Sequence, residues 1–231
     1  MTDVGVVVRP QSPPEQLRRA VELAESSGVR DVWLWEDCFL QGGLTSGRWA
    51  LVHAGASGVG TAAIQIAGVI GARVAVTCSA GKAELCRSLG ADLVLERSPH
   101  DWLADAKAAV PDGFDTVLDV IGGEEINRNL DAVALRGTIV QVGLMGGGDA
   151  PVNVGMLLAR RATWVGTTLR ARPLEEKVAV TRRFAAEMLS HLAAGRIRPV
   201  VDCVFPLAQI ADAHRRMAAN ANAGKIVVQI R

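Results

Sequence analysis

The run Val52-His53-Ala54-Gly55-Ala56-Ser57-Gly58-Val59-Gly60-Thr61-Ala62-Ala63 joins an apolar stretch, Trp49 to Val52, to a series of small and apolar residues, Ala62 to Ile70. That is the pattern of a strand, a glycine-rich turn and a helix. In such a turn the backbone around Gly55, Ser57, Gly58, Val59 and Gly60 can bring N–H groups to a pyrophosphate at the positive end of the helix. The motif is imperfect, because Ser57 stands at the middle glycine of Gly-x-Gly-x-x-Gly, with Gly58 beside it to relieve the crowding. A tight turn without a ligand is the plainer alternative. The strand before and the helix after favour a dinucleotide.

The next strand, Arg73 to Thr77, runs into Cys78-Ser79-Ala80-Gly81-Lys82. A NAD-binding fold places Asp or Glu there to hold the ribose hydroxyls. Here no carboxylate occurs before Glu84, already in the following helix. A hydroxyl at Ser79 and an ammonium at Lys82 suit a 2′-phosphate, so the expected cofactor is NADPH. A helix cap at Ser79 and a solvated Lys82 are the alternative. Arg97 follows the third strand, and its planar fork could clamp the same phosphate. A surface arginine before a loop proline fits equally well.

Asp119-Val120-Ile121-Gly122-Gly123 and Gly143-Leu144-Met145-Gly146-Gly147-Gly148 close the fourth and fifth strands. Ligands of open parallel sheets sit beyond the carboxyl ends of strands. The expectation is that these glycines let the backbone near Ile121, Gly122 and Gly143 approach the nicotinamide and its ribose; loop flexibility is the alternative. The histidines carry little. His53 reads as packed or half exposed in a strand, and His100, His191 and His214 as surface residues. No nucleophile triad and no metal-ligand cluster emerges, so no catalytic residue and no metal site is assigned. Trp33 and Trp35 read as core.

The elements around these motifs alternate regularly. Strands are expected at 49–54, 73–77, 92–95, 115–119, 137–142 and 162–167. Helices are clearest at 58–70, 81–89 and 123–134. This predicts an α/β fold, a doubly wound six-stranded parallel sheet of the Rossmann type. A long amphipathic helix follows at 174–194, then a strand at 199–204, a helix at 207–219 and a strand from Ile226 to Ile230. Before the sheet, Val4 to Val8, a helix begun by Pro13-Pro14-Glu15, and Val32 to Trp35 form an appended β-α-β unit. A linker-like Gln41 to Gly47 separates the two. The organisation is therefore residues 1–46, a dinucleotide-binding domain at 47–198, and a C-terminal strand-helix-strand segment at 199–231. With 231 residues, a net charge of +1 and 49% apolar residues, the chain can bury a large core and offers no basic face for nucleic acid or membrane. No apolar run is long enough to span a bilayer. Four scattered cysteines without Cys-x-x-Cys spacing argue against structural zinc and disulfides, and for a reducing cytoplasm.

Residues from about Trp49 onward resemble the zinc-independent quinone oxidoreductases of the medium-chain dehydrogenase/reductase superfamily. The resemblance rests on His53 to Gln65, Leu118 to Gly123, Gly143 to Asp149, Ala213-His214 with Ala219-Asn220, and Gly224 to Val227. It implies NADPH-dependent reduction of a quinone or enone, a small-molecule substrate, by a homodimer. It implies that Ser79 and Lys82 hold the 2′-phosphate and that Arg97 stands where relatives often carry Tyr. It further implies that Gly143, Leu144, Met145, Thr168 and Leu169 line the nicotinamide, with Asn222 near the same pocket. That family begins with a GroES-like domain forming one wall of the substrate cleft, which this reading expects to be missing. The C-terminal segment is then a remnant of that domain, and its strands lose their usual partners. Residues 1–46 instead resemble the first β-α-β unit of a luciferase-like monooxygenase, through Val4 to Pro10 and Leu34-Trp35-Glu36-Asp37.

Overall fold

The computed structural model describes residues 39, 41–97, 101–168 and 171–229. The expected β-α-β unit of residues 1–46, with Trp33 and Trp35, lies almost wholly outside the described residues. Contacts divide the chain into a unit built on 34–200 and a second unit that contains 201–229.

The larger unit follows the strand expectations closely. Its strands are β1 (Trp49–Val52), β2 (Arg73–Cys78), β3 (Leu93–Glu96), β4 (Phe114–Asp119), β5 (Val133–Gln141) and β6 (Thr163–Gly166). They form one sheet in the order β3-β2-β1-β4-β5-β6, and every neighbouring pair is parallel. The order reverses between β1 and β4, which opens a crevice beyond their carboxyl ends. β5 starts earlier than 137 because Val133 pairs with Phe114 ahead of an irregularity in the register.

Helices α1 (Gly58–Ile70), α2 (Ala83–Ser88), α3 (Trp102–Ala109), α4 (Glu125–Ala132), α5 (Val154–Arg160) and α6 (Leu174–Ala193) connect and cover the strands. α1 has an almost continuous buried face from Gly58 to Ala67 and ends at Gly71, whose φ of 78° is the left-handed cap that glycine tolerates. α3 and α5 are too short to show a clear period in the sequence. Asp101 starts α3 by accepting from Leu103 N at 3.2 Å, and Asn153 starts α5 by accepting from Met156 N at 3.1 Å. A core of Leu51, Ala75, Leu95, Trp102, Phe114, Val117, Ile126, Leu130 and Ile139 fills the space between α3, α4 and one face of the sheet. Burying the Leu, Ile, Val and Phe side chains among these stabilises the sheet by about 1.5–3 kcal/mol each.

The second unit holds β7 (Val201–Pro206), α7 (Ile210–Ala218) and β8 (Lys225–Gln229). β7 and β8 pair with each other in parallel. Asp202 ties the unit together: its carboxylate accepts from Arg216 Nε at 2.6 Å, Arg216 Nη2 at 3.2 Å and Ala223 N at 3.1 Å. The Arg216 guanidinium holds this carboxyl far below the usual carboxylate range.

Candidate functional site

The turn after β1 is built by close backbone approach. Ala54 adopts φ 54°, an uncommon left-handed position for a residue with a Cβ. Gly60 packs the start of α1 onto this turn, where an added Cβ would lie 2.4 Å from the carbonyl oxygens of Ala54 and Gly55. Ser57 explains the departure from the ideal motif. It is the N-cap of α1, with its Oγ accepting from Gly60 N at 3.0 Å. The first bond along the helix runs from Thr61 N to Ser57 O. The amides of Gly58 and Val59 therefore have no intrahelical acceptor, and the first turn of α1 carries no acidic side chain. This is an end built to receive negative charge.

Below the turn runs a chain of buried polar groups. His53 is 1% exposed. Its Nδ1 lies 3.0 Å from Thr77 Oγ1, and its Nε2 lies 2.7 Å from Asn129 Oδ1. Asn129 Nδ2 donates to Asp119 Oδ2 at 2.9 Å. Asp119 Oδ1 accepts from the amides of Ile121 at 2.6 Å and Gly122 at 3.0 Å. An ionised carboxylate can only accept, which turns the Asn129 amide nitrogen toward Asp119 and its oxygen toward His53. His53 thus carries its proton on Nε2, and Thr77 donates to Nδ1. Burial pushes the His53 pKa down, opposed by the Asp119 charge and the Asn129 bond. His53 is packed, as the sequence suggests, but it follows β1 directly and joins three strand ends. Its ring also stands edge-on to Trp102 at 5.1 Å.

At the outer end of β2 the structure brings Arg97 next to Ser79. The ladder pairs Cys78 with Glu96, and Arg97 N donates to Cys78 O at 3.0 Å. This sets Arg97 beside Ser79. Ser79 is exposed and caps the 3₁₀ turn Ala80–Lys82 with its backbone only. Lys82 is half-buried. The structure adds an acid that the sequence does not bring to this spot: Glu125 Oε1 lies 3.8 Å from Arg97 Nη2. The Cys78 and Cys86 thiols, both free and buried, share a hydrogen bond, which pushes the Cys86 pKa up and the Cys78 pKa down.

The loops after β4 and β5 are zipped together. Gly146 N donates to Ile121 O at 2.7 Å, and Met145 N to Val120 O at 3.3 Å. A Cβ on Gly123 would lie 2.6 Å from Gly146 O, and one on Gly143 2.8 Å from Val120 O. Gly122, Gly123, Gly143 and Gly146 thus serve loop-to-loop contact. Leu144 and Met145 stay 60% and 75% exposed at the mouth of the crevice. Gln141 donates to Gly143 O at 2.8 Å, while its buried Oε1 has no hydrogen-bond partner among the described residues.

The remaining expected residues are scattered. Thr168 lines a cavity of about 600 Å³ with Gln41, Thr167, Arg172 and Glu176, past the end of β6. Leu169 lies outside the described residues, as does His100. Asn222 belongs to the second unit, where its Nδ2 donates to Gly224 O at 3.1 Å and shapes the turn into β8. His191 and His214 are half-buried rather than fully at the surface. Among the described residues no cluster of three or more His, Cys, Asp or Glu is placed to hold a metal ion. None of their helices is long and apolar enough to cross a membrane.

These features define a dinucleotide-type crevice on a Rossmann sheet, and comparison with known proteins places it. The chain belongs to the zinc-binding dehydrogenase family, whose family model, "Zinc-binding dehydrogenase", matches residues 58–187. A phenolphthiocerol/phthiocerol polyketide synthase protein of Mycobacterium tuberculosis is 32% identical over 212 residues, covering 90% of this chain and 10% of that protein. The "Quinone oxidoreductase" of Pongo abelii is 25% identical over 186 residues, covering 79% of this chain and 55% of that protein. A quinone oxidoreductase of Thermus thermophilus, solved also in complex with NADPH, superposes with a TM-score of 0.75 at 31% identity, covering 85% of this chain and 63% of that one. The chain thus spans about half the length of the Pongo abelii relative and a tenth of the synthase.

Sequence reasoning misses Thr77, Asn129 and Glu125. One signal is available: His53, Thr77 and Asp119 are polar residues at the carboxyl ends of three strands otherwise apolar, and buried polar groups need partners.

Proposed function

We propose that the chain is the NADPH-binding part of a quinone-oxidoreductase-like reductase. The carrying observation is the donor set at the end of β2. Ser79 and Arg97 stand side by side there, Lys82 follows three residues on, and no carboxylate occupies the strand end itself. Gly58 and Val59 would donate to the pyrophosphate, with Ser57 fixing the helix end. The segments 121–122 and 143–145 would flank the nicotinamide, where the unpartnered Gln141 Oε1 is suited to accept from a carboxamide. Bound NADPH would supply a hydride, which a quinone or enone accepts. The residues of this chain bind and orient, and none is assigned as a proton donor. The homologous quinone oxidoreductases support the substrate class. The protein would act in the cytoplasm; a homodimer is favoured by the place of β6 at one end of the sheet among the described residues and by its exposed Trp164.

Lys82→Ala should weaken NADPH far more than NADH in a fluorescence titration. Equal losses would reject the 2′-phosphate role. Turnover of NADPH with an ortho-quinone above the uncatalysed rate supports the reductase, and tight binding without turnover would leave a cofactor-binding module.

A further inference from the structure

We infer that Glu125 is a selectivity-setting residue, a fixed negative charge that restrains Arg97 and so limits the preference for NADPH over NADH. The inference rests on the 2′-phosphate reading above. Four charges alternate along the outer rim of the sheet. Arg97 Nη2 lies 3.8 Å from Glu125 Oε1, Glu125 Oε2 lies 3.4 Å from Arg128 Nε, and Arg128 Nη2 lies 2.5 Å from Asp101 Oδ1. The two acids balance the two bases. The inner members are held in place. The Arg128 guanidinium covers the Trp102 ring at 4.9 Å, and the Glu125 side chain is only 16% exposed. Arg97 is the loose end, 43% exposed and at the longest of these separations.

This geometry decides the sign. Glu125 Oε2 faces Arg128 Nε behind it as an ion pair at 3.4 Å, although neither atom completes a hydrogen bond among the described residues, so Glu125 keeps a countercharge when Arg97 turns away. Arg97 stands beside Ser79, where a 2′-phosphate of charge near −2 would sit. Glu125 then acts twice against the phosphate: it draws the guanidinium toward the sheet and repels the added charge. An NADH ribose brings no such charge and is indifferent to Glu125. The effect is moderate, because Arg97 is partly solvated and the interaction is screened.

The test measures dissociation constants for NADPH and NADH by fluorescence in wild type, Glu125→Gln, Arg97→Ala and the double variant. Glu125→Gln should tighten NADPH by about 3- to 10-fold and leave NADH within about twofold, as expected for one partly screened charge. The gain should disappear in the Arg97→Ala background. It should also grow as pH rises through about 6, where the phosphate loses its second proton, a dependence that a loss of packing would not produce. Glu125→Ser, checked by thermal unfolding, gives the same readout should the glutamine variant fold poorly. An unchanged NADPH-to-NADH ratio in folded variants, or weaker NADPH binding, overturns the inference. If Lys82→Ala and Arg97→Ala also fail to separate the two cofactors, it is the 2′-phosphate reading that falls. If they do separate them while Glu125→Gln does nothing, only the role of Glu125 falls.

Discussion

His53 Nε2 donates to Asn129 Oδ1 at 2.7 Å, and neither side chain has access to water. One imidazole of β1's end and one amide of α4 thereby join the floor of the crevice. Asn129 faces a neutral ring on one side and a carboxylate on the other, and only its amide can serve both.

Replacing that amide should be costly. Asn129→Leu leaves the His53 N–H and Asp119 Oδ2 without partners in a buried site. The expected loss is about 2–5 kcal/mol of unfolding free energy, from two unsatisfied groups of which one is charged. Urea denaturation of the variant against wild type measures it.

The buried ring also links stability to pH. The His53 pKa is lowered from 6.5 in the folded protein. Below that pH the unfolded chain takes up a proton that the folded chain refuses. The contribution of His53 is therefore intact above pH 6.5 and is lost as pH falls below it, until the folded pKa is reached. The slope approaches about 1.4 kcal/mol per pH unit for a single proton. His53→Gln, which does not titrate, should flatten the difference between denaturation curves on either side of about pH 6.5; identical slopes would exclude His53 as the source.

Ser57 separates capping from cofactor binding. Ser57→Ala removes the acceptor for Gly60 N and should cost about 1 kcal/mol of stability. Ser57→Asp keeps an acceptor but sets a negative charge at the end proposed for the pyrophosphate. It should retain the melting temperature and lose NADPH and NADH binding together. Calorimetry with parallel titrations distinguishes the two.

In the second unit, Asp202 of β7 bonds to Arg216 of α7 and to Ala223 N just before β8. Its carboxyl pKa is depressed by Arg216, so its stabilising contribution is present above the ordinary carboxylate range and is lost as pH falls toward the depressed folded value. Asp202→Asn should loosen this unit at neutral pH and leave the sheet of the larger unit intact. Protease sensitivity confined to sites after residue 200 would register it.

What the sequence discloses follows from range. The turn at 54–60 is specified by neighbours, so strand and helix are legible within two residues of their observed ends, while the capping role of Ser57 is not. Helix α1 falls at its expected limits. α3 is announced only by Asp101 and a single buried turn around Trp102 and Ala106, too short for a visible period. The crevice floor lies beyond local reading, since His53 meets partners 24 and 76 positions away. From its place after β3, Arg97 reads equally as a phosphate clamp or as a surface arginine. Its acidic neighbour is invisible there, because Glu125 arrives on the helix that follows β4 and only the sheet order brings them together.

The hydrogen bonds from Ala54 N through Thr77, His53 and Asn129 to Asp119 all point one way. Inverting any link would require the hydroxyl, the ring and the amide to turn over at once. The loops bearing Ala54 and Ile121, though they look like surface connections, should therefore breathe only in concert. Their amide protons should exchange with solvent nearly as slowly as those of the strands they extend.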